Sequence, residues 1–358
     1  FIDLANVLAH SNTVLLQTTM GAVAQTDQAI LNEAHAQGLI CPDKRYDKDT
    51  TSAAGAYVAT PKKGMHKWVG SIDLNSLYPS IIRSCNMSTE TIIGQVRQVY
   101  TKELIANAKT VAEAWEGRFA CPEYELVMQK NIEEILHLDF EDGTSFEATG
   151  AEIYEIVFNS GQPWIISANG TIFTYEKKGV IPGLLERWYA ERKVLQAKAR
   201  DARAEGGDKF AYWDKRQLVK KINLNSLYGA LLNPGSRFFD SRLGQSTTLT
   251  GRCIAKHMAG ELNKIIAGEY NHQGDAIVYG DTDSTYFSAY PMLKEQIKKG
   301  EINWDRDNII AYYDAVCEEV SKTFPGFMSR TFHTTLELGS IIAAGREMVG
   351  SAGLFITK

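Results

Sequence analysis

Long apolar runs are missing from this sequence of 358 residues: no stretch approaches the ~20 apolar residues that a membrane-spanning helix needs. A secretion signal, with its basic start, apolar middle and small-residue cleavage site, is also missing. We therefore predict a protein that is neither embedded in a membrane nor secreted. Because the first residue is Phe1 rather than Met, we interpret the chain as an internal or processed piece of a longer polypeptide.

Cysteine and histidine patterns that ligate metals are scarce as well. The five cysteines are scattered, and none forms the CxxC pair that is typical of zinc and redox sites. Their odd number argues against a disulfide framework and for a reducing compartment. The seven histidines show no HxxxH spacing, so we predict structural or surface roles for them.

The overall charge is only -5, which taken alone argues weakly against a nucleic-acid partner. Its distribution is uneven, however. Residues 187–221 contain eleven Lys or Arg and five Asp or Glu, a local charge of +6 that leaves -11 for the rest of the chain. Such asymmetry indicates one face for polyanions and another for cations or solvent, although a solvated helix pair would have the same composition.

Hydrophobic periodicity predicts an α+β fold, with helices between and beside separated strands. The sequence AEGGD interrupts a strong helix-forming segment and predicts two antiparallel helices joined by a short loop. Gly-containing turns at EDGT and ANGT predict two β-hairpins, and a strand is predicted to end at Asp73. Helices are predicted at 12–38, from YPSIIRSCN onwards, and at 101–119, 182–203, 209–232, 246–268 and 307–323.

The first candidate functional stretch is SIDLNSLYPSII, residues 71–82. Asp73 ends a strand there, and Pro79 suits the first turn of the helix that follows. Backbone amides in such a turn and at a helix N-terminus bind phosphate, so an adjacent Asp could hold a metal that also contacts the phosphates. A simple role for Asp73 as a helix cap explains this stretch equally well.

The second stretch is KKINLNSLYGA, residues 220–230. Lys221, Asn225 and Tyr228 lie within roughly 40° on one face of a helix that turns by about 100° per residue. A cation, an amide and an aromatic ring on one face suit an anionic ligand that carries a flat ring. Gly229 costs a helix roughly 1 kcal/mol, which indicates that something large approaches it. A core-facing tyrosine beside a solvated lysine is the alternative.

The third stretch is VYGDTDSTYF, residues 278–287, which places Asp281 and Asp283 at a predicted hairpin turn. Carboxylates are the hard oxygen ligands that Mg²⁺ and Mn²⁺ take, usually one or two of them beside substrate phosphates. Without a cation, clustered carboxylates would repel each other. Local hydrogen bonds within the turn are the alternative explanation.

Together the three stretches supply an Asp at a strand end, two Asp on a hairpin and a basic helical face. These are the parts of a site for two-metal phosphoryl transfer, in which carboxylates hold two cations ~3.5–4 Å apart and cationic side chains neutralise a triphosphate. Such chemistry requires Asp73 and Asp283, which are far apart in sequence, to meet in the fold.

The motifs DLNSLYPSII, KKINLNSLYG and YGDTDS resemble motifs A, B and C of family B DNA polymerases, in the family's order. The segment NGTIFTYEKKGVIPGLLERWYAERK is similar to the entry into the fingers of the replicative polymerases of T-even-type bacteriophages. The resemblance covers nearly the whole chain, and three ordered motifs are far more specific than any one of them.

The resemblance implies an antiparallel-sheet palm with a two-helix antiparallel fingers subdomain. The family's exonuclease is expected before residue 1 and its thumb beyond residue 358, so both are expected to be absent from this chain. The expected divisions are a connector and palm edge at 1–70, a first palm part with motif A and a hairpin insert at 71–180, the fingers with motif B at 181–232, and a second palm part with motif C at 233–358.

The resemblance also assigns roles to single residues. Asp73, Asp283 and the carbonyl of Leu74 would hold two Mg²⁺ ions, with Mn²⁺ as an alternative, and Asp281 would have a lesser catalytic role. Tyr78 would lie under the deoxyribose and exclude a 2′-hydroxyl. The residues expected to bind the nucleotide, partly through the amides of 74–78, are Leu74, Asn75, Ser76, Leu77, Tyr78, Arg192, Lys221, Asn225, Tyr228 and Gly229.

One position departs from the family pattern. A Lys usually follows the Arg of the first finger helix by four residues, whereas this chain has Gln196 there. Lys193 or Lys198 could supply the phosphate contact instead.

The reaction implied by the resemblance is attack of a primer 3′-hydroxyl on the α-phosphate of a dNTP, with release of pyrophosphate, during phage DNA replication in the host-cell cytoplasm. The implied partners are primer–template DNA, dNTP and, through the missing segments, a sliding clamp and other replisome proteins. A reverse transcriptase fits less well because its paired Asp are adjacent. The alternative function is a non-catalytic DNA-binding or assembly part of a split polymerase.

Overall fold

The computed structural model describes residues 2–41, 43–44, 55–98, 135–206 and 209–356. Within them, a four-stranded and a five-stranded antiparallel sheet are combined with helices, which confirms the predicted α+β class. The helix predicted at 101–119 lies outside the described residues. None of the described helices combines the length and apolar character that a membrane crossing requires.

The described helices are numbered here in chain order. They are α1 (Ile2–Asn12), α2 (Ala22–Ala36), α3 (Leu77–Ser84), α4 (Gly150–Tyr154), α5 (Val180–Ala204), α6 (Lys209–Leu231), α7 (Ser241–Ala267), α8 (Tyr290–Lys298), α9 (Arg306–Phe332) and α10 (Leu336–Gly339). The strands are β1 (Gly64–Leu74), β2 (Ile92–Gln98), β3 (Ile135–Phe140), β4 (Ser145–Thr149), β5 (Trp164–Ile166), β6 (Thr171–Thr174), β7 (Ile277–Asp281), β8 (Ser284–Phe287) and β9 (Ala344–Phe355).

The four-stranded sheet has the order β7-β8-β1-β9, with every neighbouring pair antiparallel. Strand β1 runs through its middle and is buried along its second half, as its apolar sequence predicts. Gly70 in β1 lets α9 approach closely, because a Cβ there would lie 2.6 Å from the ring of Tyr313. The hydroxyl of Tyr313 in turn donates to the carbonyl of Trp68 at 2.5 Å. Helix α9 thus fixes the sheet from one side.

The five-stranded sheet has the order β4-β3-β2-β6-β5. It contains both hairpins predicted from their glycine turns, β3–β4 around Gly143 and β5–β6 around Gly170. Both glycines have positive φ angles, 86° and 81°, which an L side chain adopts only with strain. At Gly170 a Cβ would also lie 2.4 Å from the carbonyl oxygen of Val96, so no larger residue fits that turn.

Helices α5 and α6 form the antiparallel pair predicted from the AEGGD interruption. They pack against each other, α2 and α3 each contact both of them, and α1 contacts α6. The basic segment at 187–221 therefore lies on a helix pair that is held at several places.

Two helix boundaries differ from the sequence prediction. The continuous helix predicted at 12–38 is broken, because Gly21 has extended backbone angles and α2 begins only after it. The helix predicted at 246–268 begins earlier, at Ser241, since the side chain of Asp240 accepts a hydrogen bond from the amide of Arg242 and caps it.

Helix α9 also continues past its predicted end near residue 323. Pro325 lies inside it and costs a helix interior ~3 kcal/mol. The continuation buries three phenylalanine rings, at about 1.5–3 kcal/mol for each side chain fully removed from water, which outweighs the proline. These rings belong to Phe324, Phe327 and Phe332.

His257 of α7 is a buried histidine that holds α7 against α9. Its Nδ1 lies 3.1 Å from the hydroxyl of Tyr270 and its Nε2 lies 2.9 Å from Thr323 Oγ1. Its ring stacks on Phe327, with the ring centroids 3.9 Å apart. Burial, together with the positive charge of Arg330, lowers the pKa of His257 from 6.5 to about 3, so the imidazole is neutral in the folded protein.

We expect His257 to make folding sensitive to acid. Because the folded state disfavours the protonated ring, its contribution is complete above pH 6.5 and is lost as the pH falls towards 3, by up to about 1.4 kcal/mol per pH unit. The variant His257→Gln cannot titrate. The difference in free energy of unfolding between wild type and variant, measured in urea at pH 7, 5.5 and 4, should therefore shrink with falling pH. A constant difference would contradict the prediction.

Candidate active site

The end of β1 meets the turn between β7 and β8. Asp73 lies opposite Ser284 in the antiparallel pairing of β1 with β8. The amide of the next residue, Leu74, donates to the carbonyl of Asp283 at 2.8 Å. Asp73 and Asp283 therefore lie side by side on two neighbouring strand ends, although most of the chain separates them in sequence.

Both turns at this place are strained. Ser76, after β1, has a φ of 50°, and Thr282, between the two aspartates, has a φ of 55°. For residues other than glycine such angles cost on the order of 1–3 kcal/mol and are concentrated at functional sites. Thr282 is held by hydrogen bonds from its amide to the carbonyl of Tyr57 (2.9 Å) and from its hydroxyl to Asp281 Oδ1 (3.1 Å).

The two carboxylates are crowded and partly withdrawn from water. Burial, then the charge of Asp283, then that of Glu347 raises the pKa of Asp73 from 3.8 to about 6. The pKa of Asp283 is also raised, mainly by burial, against the lowering effect of a hydrogen bond from its own backbone. A bound cation would relieve this repulsion, so the pair has the electrostatics of a cation site.

Asp281 is near this pair, but its carboxylate oxygens accept hydrogen bonds within the hairpin. Its Oδ2 accepts from the hydroxyl of Tyr279 at 3.0 Å, and its Oδ1 accepts from Thr282. It lines a separate small cavity with Tyr57 and His272. The structure therefore places Asp281 away from the pocket that Asp73 and Asp283 share, while its charge still contributes to the raised pKa of Asp283.

The aspartate pair lies on the wall of a polar pocket of about 440 Å³. One part of this wall comes from the end of β1 and the turn that follows, and another part comes from α5 and α6. The lining residues are Asp73, Leu74, Asn75, Ser76, Tyr189, Arg192, Lys193, Gln196, Lys221, Asn225 and Asp283.

The cations of the pocket have no carboxylate partners among the described residues, in contrast to three other cations of the same helices. Arg192, Lys193 and Lys221 make no ion pair with any residue that the structure describes, and Arg192 Nε is buried without a hydrogen-bond partner. Other basic side chains of α5 and α6 are neutralised within the protein: Arg187 by Glu33 (2.6 Å), Lys215 by Asp3 (2.9 Å) and Lys220 by Glu191 (2.6 Å). The pocket is thus arranged for an anion from outside.

Gln196 lies on the pocket wall. Of the two lysines that could supply the missing phosphate contact, only one lines the pocket. Lys193 lines the pocket, with its ammonium 5.3 Å from the ring centroid of Tyr189. Lys198 does not line the pocket and lies over the ring of Trp213 at 4.7 Å. Of these two, Lys193 is the cation available to a ligand of the pocket.

Four of the residues expected at the nucleotide do not line the pocket. Leu77 is buried in the core. The rings of Tyr78 and Tyr228 pack on each other, with centroids 4.4 Å apart and planes at 42°. Gly229 faces open space, since a Cβ there would meet no atom within 4 Å. Packing within the described protein therefore gives no reason for that glycine.

The backbone amides expected to bind phosphate are only partly available. The amides of Leu74 and Asn75 donate to the carbonyls of Asp283 (2.8 Å) and Ala343 (2.9 Å), so the expectation is wrong for these two. Their N–H groups hold the strand end in the sheet. The amides that find no partner among the described residues belong to the uncapped start of α3, Ser76, Leu77 and Tyr78.

Two residues of the site were missed in the sequence. Tyr189 lies three and four positions before Arg192 and Lys193, a helical spacing that could have indicated it. Glu347 of β9 raises the pKa of both aspartates and accepts from the hydroxyl of Ser71 at 3.3 Å. No local pattern marks Glu347, because only the pairing of β9 with β1 brings it here.

The donor set fits a cation that also binds substrate. Among the described residues, no group of three or more Asp, Glu, His or Cys is close enough to hold a metal by itself. Two carboxylates and the Leu74 carbonyl are a small number of oxygen ligands. This is typical of Mg²⁺, which is commonly held by one or two carboxylates together with substrate phosphates.

The raised pKa of Asp73 predicts that its charge destabilises the metal-free protein. Below pH 3.8 the carboxyl is protonated in both states, and the loss of stability develops as the pH rises through about 6. In EDTA, Asp73→Asn should therefore unfold at a higher temperature than wild type at pH 8, and this advantage should shrink at pH 4.5. Mg²⁺ or Mn²⁺ should raise the Tm of wild type more than that of the variant. An equal Tm difference at both pH values would contradict this.

Comparison with known proteins identifies the family of this chain. A model of DNA polymerase family B matches residues 13–300. The chain is 25% identical to the DNA-directed DNA polymerase of Escherichia phage RB69, over 89% of the chain and 35% of that protein. It is 27% identical to the DNA-directed DNA polymerase of Enterobacteria phage T4, over 82% and 33%, and 29% identical to the DNA polymerase of Red sea bream iridovirus, over 69% and 25%.

The chain spans a quarter to about a third of the length of these relatives. The resemblance to the T-even-type bacteriophage polymerases is confirmed by the T4 and RB69 proteins. Because the family match covers most of the sequence, this chain belongs to DNA polymerase family B.

Proposed function

We propose that this chain carries the nucleotidyl-transfer site of a template-directed DNA polymerase. The observation that carries the proposal is the pocket itself: Asp73 and Asp283 lie together on its wall, and three cations that have no carboxylate partner in the described part of the chain complete it. The relatives that are named DNA-directed DNA polymerases support the same activity.

In the proposed reaction, a primer 3′-hydroxyl attacks the α-phosphate of a dNTP and pyrophosphate leaves. The carboxylates of Asp73 and Asp283 and the carbonyl of Leu74 would hold the two Mg²⁺ ions, or Mn²⁺. When bound, such ions lower the pKa of the attacking hydroxyl and stabilise the charge on the leaving oxygen. Asp281, with both oxygens engaged in its hairpin, would tune Asp283 rather than bind the ions.

The other wall of the pocket would bind the triphosphate. Arg192, Lys193 and Lys221 would neutralise its charge, and the Asn225 amide would donate to an oxygen. The free amides at the start of α3 would bind the phosphates from the opposite end, where the partial positive charge of a helix N-terminus favours an anion. Closure of α5 and α6 over the nucleotide would complete these contacts.

Tyr78 would select the sugar. Its ring is supported by Tyr228 on α6, and by α7 at Gly251, where a Cβ would lie 3.3 Å from Tyr78 Cε1. A ring held from two sides cannot retreat to admit a 2′-hydroxyl. The open space at Gly229 is consistent with approach of a base or a template strand to α6.

We further propose the family's division for this chain. The expected connector, palm and fingers segments (1–70, 71–180 with 233–358, and 181–232) fit the sheet that carries the aspartates and the helix pair that carries the cations. The proposed partners are primer–template DNA and dNTP in the host-cell cytoplasm. Contacts with a sliding clamp and other replisome proteins are proposed for the complete polymerase.

We also propose a second candidate function, a non-catalytic DNA-binding or assembly part of a split polymerase. The chain spans a quarter to about a third of the length of the relatives. Extension of a labelled primer by the purified chain, alone and with the remaining polymerase segments added in trans, distinguishes the two. Folded protein without activity in either arrangement would favour the second function.

We expect Asp283→Asn to abolish primer extension, because it removes one of the two carboxylates that face the pocket. Loss of a residue of this kind lowers kcat by about 10³-fold or more. The matched control is Asp275→Asn, an exposed aspartate shortly before the same hairpin. Near-normal extension by Asp283→Asn, in a preparation where the control is active, would remove Asp283 from the catalytic site.

We expect Lys193→Ala to raise the KM for dNTP by about tenfold, because a charged hydrogen bond to phosphate contributes about 1.5–3 kcal/mol. Lys198→Ala is the matched control: it removes the same charge from the same helix, outside the pocket. Its KM should stay within about twofold of wild type. Equal effects of the two variants would show that general charge, rather than the position of Lys193, determines dNTP affinity.

A further inference from the structure

A pair of buried side-chain amides connects the N-terminal helix α1 to α6. Asn12 Nδ2 donates to Asn223 Oδ1 at 3.2 Å, and Asn223 Nδ2 donates back to Asn12 Oδ1 at 2.9 Å. The two residues are 2% and 6% exposed. Buried amides are destabilising unless they are paired, so this reciprocal arrangement is a requirement of the fold and not a surface contact.

The pair is fixed on the side of the N-terminal helices by further hydrogen bonds. Asn12 Nδ2 also lies 3.3 Å from Gln25 Oε1, and Gln25 Nε2 donates to the carbonyl of Thr19 at 2.7 Å. Asn32 Nδ2 donates to the backbone carbonyl of Asn12 at 3.3 Å. The Asn12 amide is therefore held in one orientation by α2 and by the turn before it.

Asn223 points directly away from the candidate active site. At about 100° per residue, it lies about 180° around α6 from the middle of the face that Lys221 and Asn225 share. Lys221 and Asn225 line the pocket, while Asn223 is buried against α1. Any rotation of α6 about its axis would move both faces together.

An amide pair restricts such rotation more strongly than an apolar contact would. Apolar side chains keep most of their contact energy after a small shift, whereas two antiparallel N–H···O bonds require one distance and one direction. Rotation of α6 would break both bonds and leave two buried amides unpaired. A third polar contact, from Lys220 Nζ to Ser11 Oγ at 2.8 Å, lies beside the pair.

We propose that the Asn12–Asn223 pair is a positioning device for the pocket: it sets the rotation of α6 and so aims Lys221 and Asn225 at the ligand. The identity of that ligand as a nucleoside triphosphate rests on the proposed function, whereas the positioning does not. Asn12 and Asn223 touch no ligand and act through the residues on the opposite face.

The test compares Asn12→Leu, Asn223→Leu and the double variant in the full chain. Each single variant leaves one buried amide without its partner, so both should lower the Tm. The double variant removes both amides, and its Tm should return most of the way to wild type. Because a leucine pair has no directional bonds, the Kd for dNTP with Mg²⁺ should stay raised in the double variant, by about tenfold. If the pair had only a structural role, both the Tm and the Kd for dNTP of the double variant would return to the wild-type values.

Two controls make the binding result interpretable. Asn308→Ala removes an exposed side-chain amide of α9 whose partner, Asp305, immediately precedes the same helix, and it should leave the Kd unchanged. Lys221→Ala should weaken binding if the pocket is the triphosphate site. If wild type and Lys221→Ala bind dNTP equally, the proposed function fails, and the positioning is then decided by the ligand-independent measurement below.

That measurement is the distribution of distances between spin labels on α6 and α7, at Leu218→Cys and Ile265→Cys, two exposed positions. Cys41 and Cys121 are replaced by serine to avoid labelling elsewhere. We expect a narrow distribution with the native amide pair and a broader or shifted one in the double leucine variant. An unchanged distribution in the double leucine variant would overturn the proposal, whatever the pocket binds.

Discussion

The site depends on one backbone hydrogen bond, from the amide of Leu74 to the carbonyl of Asp283, and on the strand pairing around it. This pairing forces two carboxylates together that would separate if they were free. The apolar neighbours Ile72 and Leu74, both fully buried, supply the stability that opposes the repulsion. Burial, and after it the charge of Asp283, raises the pKa of Asp73.

The helix pair α5–α6 has the complementary charge arrangement. Three of its cations are neutralised by carboxylates of the protein, whereas the three at the pocket have no such partner among the described residues. Carboxylates on the sheet and unpaired cations on the helices leave a cavity between them that suits a polyanion with associated metal ions. Folding alone does not require the paired aspartates on the sheet or the unpaired cations on the helices. Binding of a polyanion with metal ions would use both.

Sequence reasoning predicted the local parts of this arrangement well. The strand that ends at Asp73, the hairpin of Asp281 and Asp283, and the two helices around AEGGD all follow from short-range periodicity and turn chemistry, and all are present. What it missed depends on tertiary pairing. Glu347 reaches the site only because β9 pairs with β1, the direction of Asp281 follows from hydrogen bonds inside its hairpin, and Asn223 acquires its role from α1.

The contact between Tyr78 and α7 has a consequence for the evolution of such a protein. The ring lies close to α7 at Gly251, which carries no side chain. Substitutions elsewhere along α7 that tilt this helix by a few tenths of an ångström would move the ring without altering a single pocket residue. If Tyr78 selects the sugar as proposed, the preference between ribose and deoxyribose can change through residues of α7, none of which lines the pocket.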